Sequence, residues 1–443
     1  MEAEIIESQL EKALEADLQI GGVQVVGCKR TRPEFLEWIL RLSGQGDTFG
    51  SILENLTEVI DAVKQTDTFE SVEAYLEESK DKGKTDVIFT LEEKQRTSIT
   101  LGTESGGTFG DTTVGGSFHV RNVFGRLETL RANAGSSPTS VTSSASSSMG
   151  SKNYFSLEFT KPFLFDLASS LGFRLYSSEE KISYSVDKYG ADVILSLPLL
   201  TLSYEASWRK VGQAPSSSGA KIREQCGHSF KSAVTAVSVM DLRDNPLSPN
   251  FGLFTSVKAE LAGLFGDARH FLHEYEGQFH LPLGQSGLVF NSCAKTGMIN
   301  RLPRSGPVHV IDRFLVGGPA SMRGFRSRGV GEHDGRDPLG AEFYATAFMG
   351  LALPIGFSGL LRSVSAKAHA WGMVGDVNSL ESLTPKVLKP RSWFESTRAS
   401  VGVGITAALP IGRLEMNWCH VLRSSGSDRE KNGVQIGLTQ SFS

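Results

Sequence analysis

Residues 274–281 read EYEGQFHL, a strict alternation between two kinds of side chain. Apolar or small residues share one parity and polar residues share the other: Tyr275, Gly277, Phe279 and Leu281 against Glu274, Glu276, Gln278 and His280. Successive side chains of a β-strand point to opposite faces, so this period predicts a strand with one apolar and one polar face. The same period recurs at residues 155–160, 171–176, 413–418 and 434–439.

The number of such segments indicates which kind of β-protein they build. Beyond residue 95 helical periodicity almost disappears, and the remaining length of about 350 residues accommodates about 16 strands, an even number as in bacterial outer-membrane barrels. The polar parity carries Glu158, Arg174, Glu276 and Arg413, which suits a water-filled lumen. We therefore expect an all-β transmembrane barrel of about 16 antiparallel strands. A large soluble β-protein would show the same alternation and is the alternative fold.

The residues before this region follow a different pattern. Val23–Val26 reads as a short strand, Pro33 opens a helix, and residues 52–63 carry apolar side chains at helical spacing. Two further strands are predicted at residues 69–76 and 85–91. The order β-α-α-β-β resembles that of a POTRA (polypeptide-transport-associated) domain. The predicted organisation is an extension at 1–19, an α+β POTRA-like domain at 20–95 and a barrel at 96–443.

Composition restricts how this chain could insert into a membrane or bind a nucleic acid. A spanning helix needs about 18–20 apolar residues, and the longest apolar stretch, at 193–202, is interrupted by Ser196 and Pro198. Membrane insertion would therefore require a closed barrel. Residues 1–20 have neither the basic and apolar regions of a secretory signal nor the arginines of a mitochondrial presequence, so targeting is expected from within the chain. The net charge of −4 gives no reason to expect a nucleic-acid partner.

Enzyme signals are weak. Residues 402–407 match G-x-G-x-x-A, but the following segment reads as another strand, whereas a dinucleotide fingerprint must precede a helix. Glycines that face a barrel interior explain the motif better. No G-x-S-x-G, H-E-x-x-H or C-x-x-C motif occurs. We expect no catalytic residue, no cofactor and no metal site.

One stretch, Arg313–Phe325 (RFLVGGPASMRGF), points to a specific family. It resembles the R-F-x-x-G-G-P-x-x-(hydrophobic)-R-G-F motif of barrel proteins that insert or translocate other proteins at outer membranes, the BamA-like superfamily. That resemblance implies a sixth external loop that folds back into the lumen and is anchored to the barrel wall. The loop residues it designates are Gly317, Gly318, Pro319, Arg323, Gly324 and Phe325.

Other segments extend the resemblance over most of the chain. Residues 241–252 (DLRDNPLSPNFG) resemble a hairpin of the same superfamily, and residues 122–126 (NVFGR) resemble a turn between its early strands. Residues 227–232 and 413–419 are similar to the mitochondrial branch, the barrel subunits of the sorting and assembly machinery (SAM complex). Residues 431–438 fit the β-signal of mitochondrial outer-membrane barrels, polar-x-Gly-x-x-hydrophobic-x-hydrophobic.

The resemblance implies insertion of β-barrel precursors into the mitochondrial outer membrane, with the POTRA-like domain in the intermembrane space. The first and last strands would form a lateral gate, with Thr97, Ile99 and Leu101 on one side and Gly433, Ile436 and Leu438 on the other. Implied partners are β-barrel precursors, metaxin-like peripheral subunits, the mitochondrial contact site and cristae organising system, and outer-membrane lipid.

One position departs from the superfamily pattern. Met373 stands where a later strand usually supplies an acidic partner for the motif arginine. Asp376 or a backbone carbonyl is the candidate partner of Arg323. Two alternative functions also stay open: a protein-conducting translocation channel of an organelle outer envelope, and a barrel with an enzymatic activity.

Overall fold

The computed structural model describes most of the chain. The described residues are 14–17, 19–42, 48–79, 84–105, 112–138, 151–181, 184–212, 219–335, 337–356, 359–380, 397–409 and 412–439. Most of the extension predicted at 1–19 lies outside these ranges.

The N-terminal part is a small α+β unit with the predicted element order. Its elements are β1 (Gln19–Val26), α1 (Pro33–Leu42), α2 (Phe49–Gln65), β2 (Phe69–Glu78) and β3 (Lys84–Glu93). The sheet order is β1-β3-β2, with β1 parallel and β2 antiparallel to β3. The Thr48 side chain accepts a hydrogen bond from Ser51 N and caps α2. The apolar stripes of both helices pack on this sheet around Ile39, Ile52 and Val87.

The described residues of the second sheet form sixteen antiparallel strands, which confirms the predicted fold class. The strands are β4 (Thr97–Ser105), β5 (Thr112–Arg121), β6 (Thr129–Pro138), β7 (Ser151–Pro162), β8 (Ser170–Lys181), β9 (Ser185–Ser196), β10 (Thr201–Val211), β11 (Gly227–Asp241), β12 (Gly252–Gly266), β13 (His270–Leu283), β14 (Leu288–Arg301), β17 (Phe343–Pro354), β18 (Lys367–Asn378), β19 (Arg398–Leu409), β20 (Gly412–Arg423) and β21 (Gly433–Thr439). Each pairs with its sequence neighbour in the sheet, and β4 and β21 are the two ends.

The connections carry little further regular structure. Short helices α3 (Ala220–Arg223) and α4 (Gly359–Ser363) lie in two of them. Residues 302–342, which we call the lumenal loop, contain a 3-10 turn at Val310–Asp312 and a ribbon formed by β15 (His333–Asp334) and β16 (Asp337–Pro338). In the described part of the chain, no helix is long and apolar enough to cross a membrane.

Side-chain burial follows the predicted alternation. Tyr275 and Phe279 of β13 are 48% and 42% exposed, whereas Glu274 and His280 on the other parity are buried. The polar parity thus faces the inside and the apolar parity faces the outside, the reverse of a soluble protein. The glycines of the 402–407 motif also face inward, because a Cβ on Gly402 would lie 2.6 Å from the Trp371 ring.

The small unit contacts the barrel at the turn between β5 and β6. Arg32 N donates to Gly125 O (2.9 Å), Asn122 Nδ2 donates to Thr31 Oγ1 (2.8 Å), and the Arg121 guanidinium lies 2.6 Å from Asp67 Oδ2. Leu127 and Phe163 of the barrel turns belong to the same apolar cluster as the core of the small unit. These contacts join the two parts through both polar and apolar interactions.

Candidate functional site: the lumenal loop and the last strand

The lumenal loop is packed inside the barrel. Within its motif Phe314, Val316, Met322 and Phe325 are buried, and they share an apolar cluster with Trp371 and Met373 of β18. Met373, at the position where the superfamily has an acidic residue, therefore packs in an apolar environment.

The motif glycines have conformations that other residues rarely adopt. Gly317, Gly318 and Gly324 have φ of 124°, 106° and 86°. Gly317 N donates to Ser321 Oγ (2.8 Å), and Met322 N donates to Gly318 O (3.0 Å). The segment thus makes a tight reversal that leaves Arg323, Gly324 and Phe325 against the barrel wall.

The Arg323 guanidinium is fixed from several directions. Its Nη2 donates to Glu415 Oε2 of β20 at 2.5 Å, and its Cζ lies 4.6 Å and 5.4 Å from the ring centroids of Phe348 and Trp371. The Arg323 carbonyl accepts from Ser400 Oγ (2.7 Å). Because Arg323 and Glu415 are both largely buried, this is a charge-assisted, aromatic-flanked anchor rather than a surface ion pair.

The expectation that Asp376 anchors Arg323 is wrong. Asp376 Oδ1 instead lies 3.1 Å from Arg398 Nη1, and its Oδ2 accepts from Asn378 Nδ2 (2.6 Å). The partner is Glu415, which lies in the predicted strand at residues 413–418 but is not among the residues that the sequence motif designates. The available signal was an acidic residue on the polar, lumen-facing parity of that strand.

The last strand binds the tip of the loop through two hydrogen bonds of the Gln435 side chain. Gln435 Oε1 accepts from Gly324 N (3.2 Å), and Gln435 Nε2 donates to Phe325 O (3.0 Å). One buried side-chain amide therefore imitates the pairing of a neighbouring β-strand. Sequence analysis missed this residue, because it occupies an unspecified position of the β-signal.

Two further contacts hold the loop to this wall. Lys431 N, just before β21, donates to Gly324 O (2.8 Å). A Cβ on Gly437 would lie 2.7 Å from Pro319 Cβ, so Pro319 rests directly on the backbone of the last strand. The loop motif and the β-signal, which are far apart in sequence, thus form one contact surface.

The predicted gate residues lie on the two ends of the sheet. On β4, Thr97, Ile99 and Leu101 point away from the lumen, and Ile99 and Leu101 are 75% and 83% exposed. On β21, Gly433 has φ of 103°, Ile436 is 38% exposed, and the side chain of Leu438 lies outside the described residues. Among the described residues no strand ladder joins β4 to β21. Their role as a gate stays a prediction.

Comparison with known proteins identifies the family. Residues 122–442 match the Omp85 superfamily domain. The chain belongs to the Omp85 superfamily. This match covers the barrel from the β5–β6 turn to its end, including the whole lumenal loop, and confirms the resemblance to BamA-like barrels.

Sequence relatives of this Omp85 chain come from animals and fungi. The Sorting and assembly machinery component 50 homolog of Mus musculus is 29% identical over 371 residues, which cover 80% of this chain and 74% of the relative. The SAM50-like protein of Schizosaccharomyces pombe is 27% identical over 453 residues, which cover 96% and 90%.

Solved structures share the fold. BamA from Haemophilus ducreyi, lacking POTRA domains 1–3, superposes with a TM-score of 0.75 at 17% identity and covers 95% of this chain and 84% of that chain. CdiB from Acinetobacter baumannii gives a TM-score of 0.57 at 14% identity, covering 95% and 74%. At such identities the likeness establishes the Omp85 fold alone.

Proposed function

We propose that this Omp85 protein inserts β-barrel precursors into the mitochondrial outer membrane. The observation that carries the proposal is the joint surface between the lumenal loop and the last strand, because it couples a loop inside the barrel to the strand at the sheet's end. The relatives named for the sorting and assembly machinery support the mitochondrial outer membrane as the location.

The physical problem for such a protein is the unpaired backbone of an incoming strand. Each unsatisfied N–H or C=O group in hydrocarbon costs several kcal/mol. A separable seam between β4 and β21 offers backbone groups to which a precursor strand adds. The β-signal of the precursor would pair at this seam, and the loop tip would support it from the lumenal side. No covalent step or nucleotide is required, so we propose a non-enzymatic role without a cofactor.

The remaining parts of the proposal concern orientation and partners. The small α+β unit would stand in the intermembrane space, where it meets precursors before they enter the barrel. Metaxin-like subunits would cover the opposite face, and the contact-site and cristae organising system would bind from the intermembrane space. These assignments rest on the superfamily resemblance.

Site-specific crosslinking tests the seam. Cysteines replace Leu101 on β4 or Leu438 on β21, and a radiolabelled porin precursor with a cysteine in its final strand is imported into mitochondria. The control is Leu175→Cys on β8, which like Leu101 is an outward residue, 59% exposed, but lies away from the seam. We expect crosslinks at residues 101 and 438 and none at 175. Crosslinks only to lumenal positions would favour the alternative, a protein-conducting channel.

A further inference from the structure

The lumenal loop has another attachment before its motif begins. Asp312 lies immediately ahead of Arg313, and its Oδ1 accepts from Arg209 Nη1 of β10 at 2.6 Å. The two side chains are 6% and 3% exposed. Neither residue belongs to a segment that sequence analysis singled out.

The surroundings of Asp312 extend this attachment. Val310 N donates to Gln225 Oε1 (2.7 Å), beside the start of β11. Val310 is fully buried in an apolar cluster formed with residues of β9, β10 and α3: Val186, Val211 and Ile222. Farther along the loop, Arg328 pairs with Glu180 of β8. The loop is thus fastened to the wall made by β8–β11 as well as to the wall made by β19–β21.

These two walls face each other. From β10 to β20 the sheet runs through β11, β12, β13, β14, β17, β18 and β19, so β20 is eight strands away from β10. Eight strands is half of a sixteen-stranded ring. The Arg209–Asp312 and Arg323–Glu415 pairs therefore hold the loop at opposite sides of the lumen, as a strap across it.

Nearby charges are already engaged with one another. Lys231 Nζ lies 2.6 Å from Glu260 Oε1 and 3.6 Å from Glu205, and His270 Nε2 lies 3.1 Å from the same Glu260 oxygen. Lys188 and Lys231 also act electrostatically on Asp312, but Arg209 is the cation that donates a hydrogen bond to it. Removal of Arg209 would leave the buried Asp312 without the cation that is hydrogen-bonded to it.

We propose that Arg209 and Asp312 are a second positioning pair, which holds the start of the lumenal loop on the far wall so that its tip meets the last strand. When the tip leaves Glu415 and Gln435, this pair keeps the loop attached and serves as its pivot. The inference deepens the proposed function, on which its assembly readout depends, whereas its conductance readout does not.

The test uses the full chain, reconstituted in planar bilayers for conductance and expressed in mitochondria for porin assembly. The variants are Arg209→Met, the conservative Arg209→Lys, and the charge exchange Arg209→Asp with Asp312→Arg. The control is Arg174→Met, because Arg174 is an arginine of the same wall whose ion pair, with Asp192, joins β8 to β9 rather than to the loop. Barrel folding is checked by heat-modifiability, the difference in detergent-gel migration between unheated and heated samples.

We expect Arg209→Met to raise the pore conductance and to slow porin assembly several-fold, with Arg209→Lys and the charge exchange restoring both. Arg174→Met should leave conductance near the wild-type value. If Arg209→Met does not fold, a charge exchange that folds and behaves as wild type still supports the pair.

Four outcomes would contradict either the anchor, its positioning role or the proposed function. Unchanged conductance in Arg209→Met, or a charge exchange that is no better than Arg209→Met, overturns the anchor. Raised conductance with normal assembly overturns its positioning role and leaves the proposed function standing. If the unmodified chain assembles no porin, the proposed function fails. The bilayer conductance of Arg209→Met still decides whether the anchor exists.

Discussion

Arg323 anchors the tip of the lumenal loop to β20 through Glu415, and its removal should cost the barrel itself little stability. Its carboxylate partner Glu415 also lies 2.9 Å from Arg413 Nε, so Glu415 keeps a cation when Arg323 is removed. Breaking a buried ion pair costs about 3–5 kcal/mol when the remaining charge is left alone. With Arg413 present, the cost to the barrel should be smaller.

We therefore predict that Arg323→Ala slows the release of assembled porin while the barrel stays embedded in the membrane. Arg323→Lys should restore part of the rate, because it keeps the charge but loses the planar group that stacks on Phe348 and Trp371. Import kinetics of radiolabelled porin, followed by native electrophoresis, provide the measurement. Wild-type kinetics in Arg323→Ala would refute the role of the loop tip.

Glu93, at the end of β3, is a carboxylate that fixes the segment before α1 within the small unit. Its Oε1 accepts from Arg30 N (3.0 Å), Thr31 N (2.9 Å) and Thr31 Oγ1 (2.8 Å). Burial by itself raises the pKa of Glu93, but the hydrogen bonds from Arg30 and Thr31 outweigh it and hold the pKa at about 2.

This lowered pKa predicts a pH dependence with a definite sign. The stabilisation by Glu93 should be complete above its ordinary pKa of 4.5 and should be lost as the pH falls toward 2. Glu93→Gln should then reduce hydrogen-exchange protection of residues 28–38 strongly at pH 6 and weakly near pH 2. Glu92→Gln, at the exposed neighbouring position, is the control. An equal loss of protection at both pH values would contradict the assignment.

At the scale of elements, the turn between β11 and β12 deserves a functional test. Residues 242–251 are rigidified by Asp244, whose Oδ1 accepts from Asn250 N (2.9 Å) and Phe251 N (3.2 Å). Across the mouth of the barrel, Lys367 of β18 donates to the carbonyls of Ser248 (3.2 Å) and Pro249 (2.9 Å). The turn is thus hydrogen-bonded to β18, which lies four strands from β12 in the sheet, beyond β13, β14 and β17. We call this contact the latch.

Lys367→Met should release this latch. Ser248, which is 8% exposed, would become accessible, so a cysteine at position 248 should react faster with a membrane-impermeant maleimide in the Lys367→Met background. Lys258→Met is the control, since Lys258 faces Glu274 on the wall and not the turn. Equal labelling rates in all three backgrounds would show that the latch does not hold the turn.

For the whole molecule, Asp67 provides one of the polar links between the small unit and the barrel. Asp67 joins Lys94 at 2.5 Å and Arg121 of β5 at 2.6 Å. Asp67 also has φ of 54°, a conformation that asparagine tolerates as well as aspartate does. Asp67→Asn therefore removes the charge without changing the backbone.

We predict that Asp67→Asn loosens the small unit from the barrel. Spin labels at Glu70 on β2 and Leu199 on the β9–β10 turn should show a broader distance distribution by electron paramagnetic resonance. Asp61→Asn, an exposed position on α2, should leave the distribution unchanged. A narrow distribution in Asp67→Asn would mean that the apolar contacts of Leu127 and Phe163 suffice.

The sequence by itself determined the alternating strands, a length that fits about sixteen of them, the β-α-α-β-β order and the loop motif, because side-chain period, element length and a long motif are properties of the local chain. Only the tertiary structure decided the partners: Glu415 rather than Asp376 for Arg323, Gln435 for the loop tip, and Arg209 for Asp312. Residues that meet across a barrel lumen are separated by many strands, and nothing in strand periodicity encodes which of several lumenal charges a folded-back loop will reach.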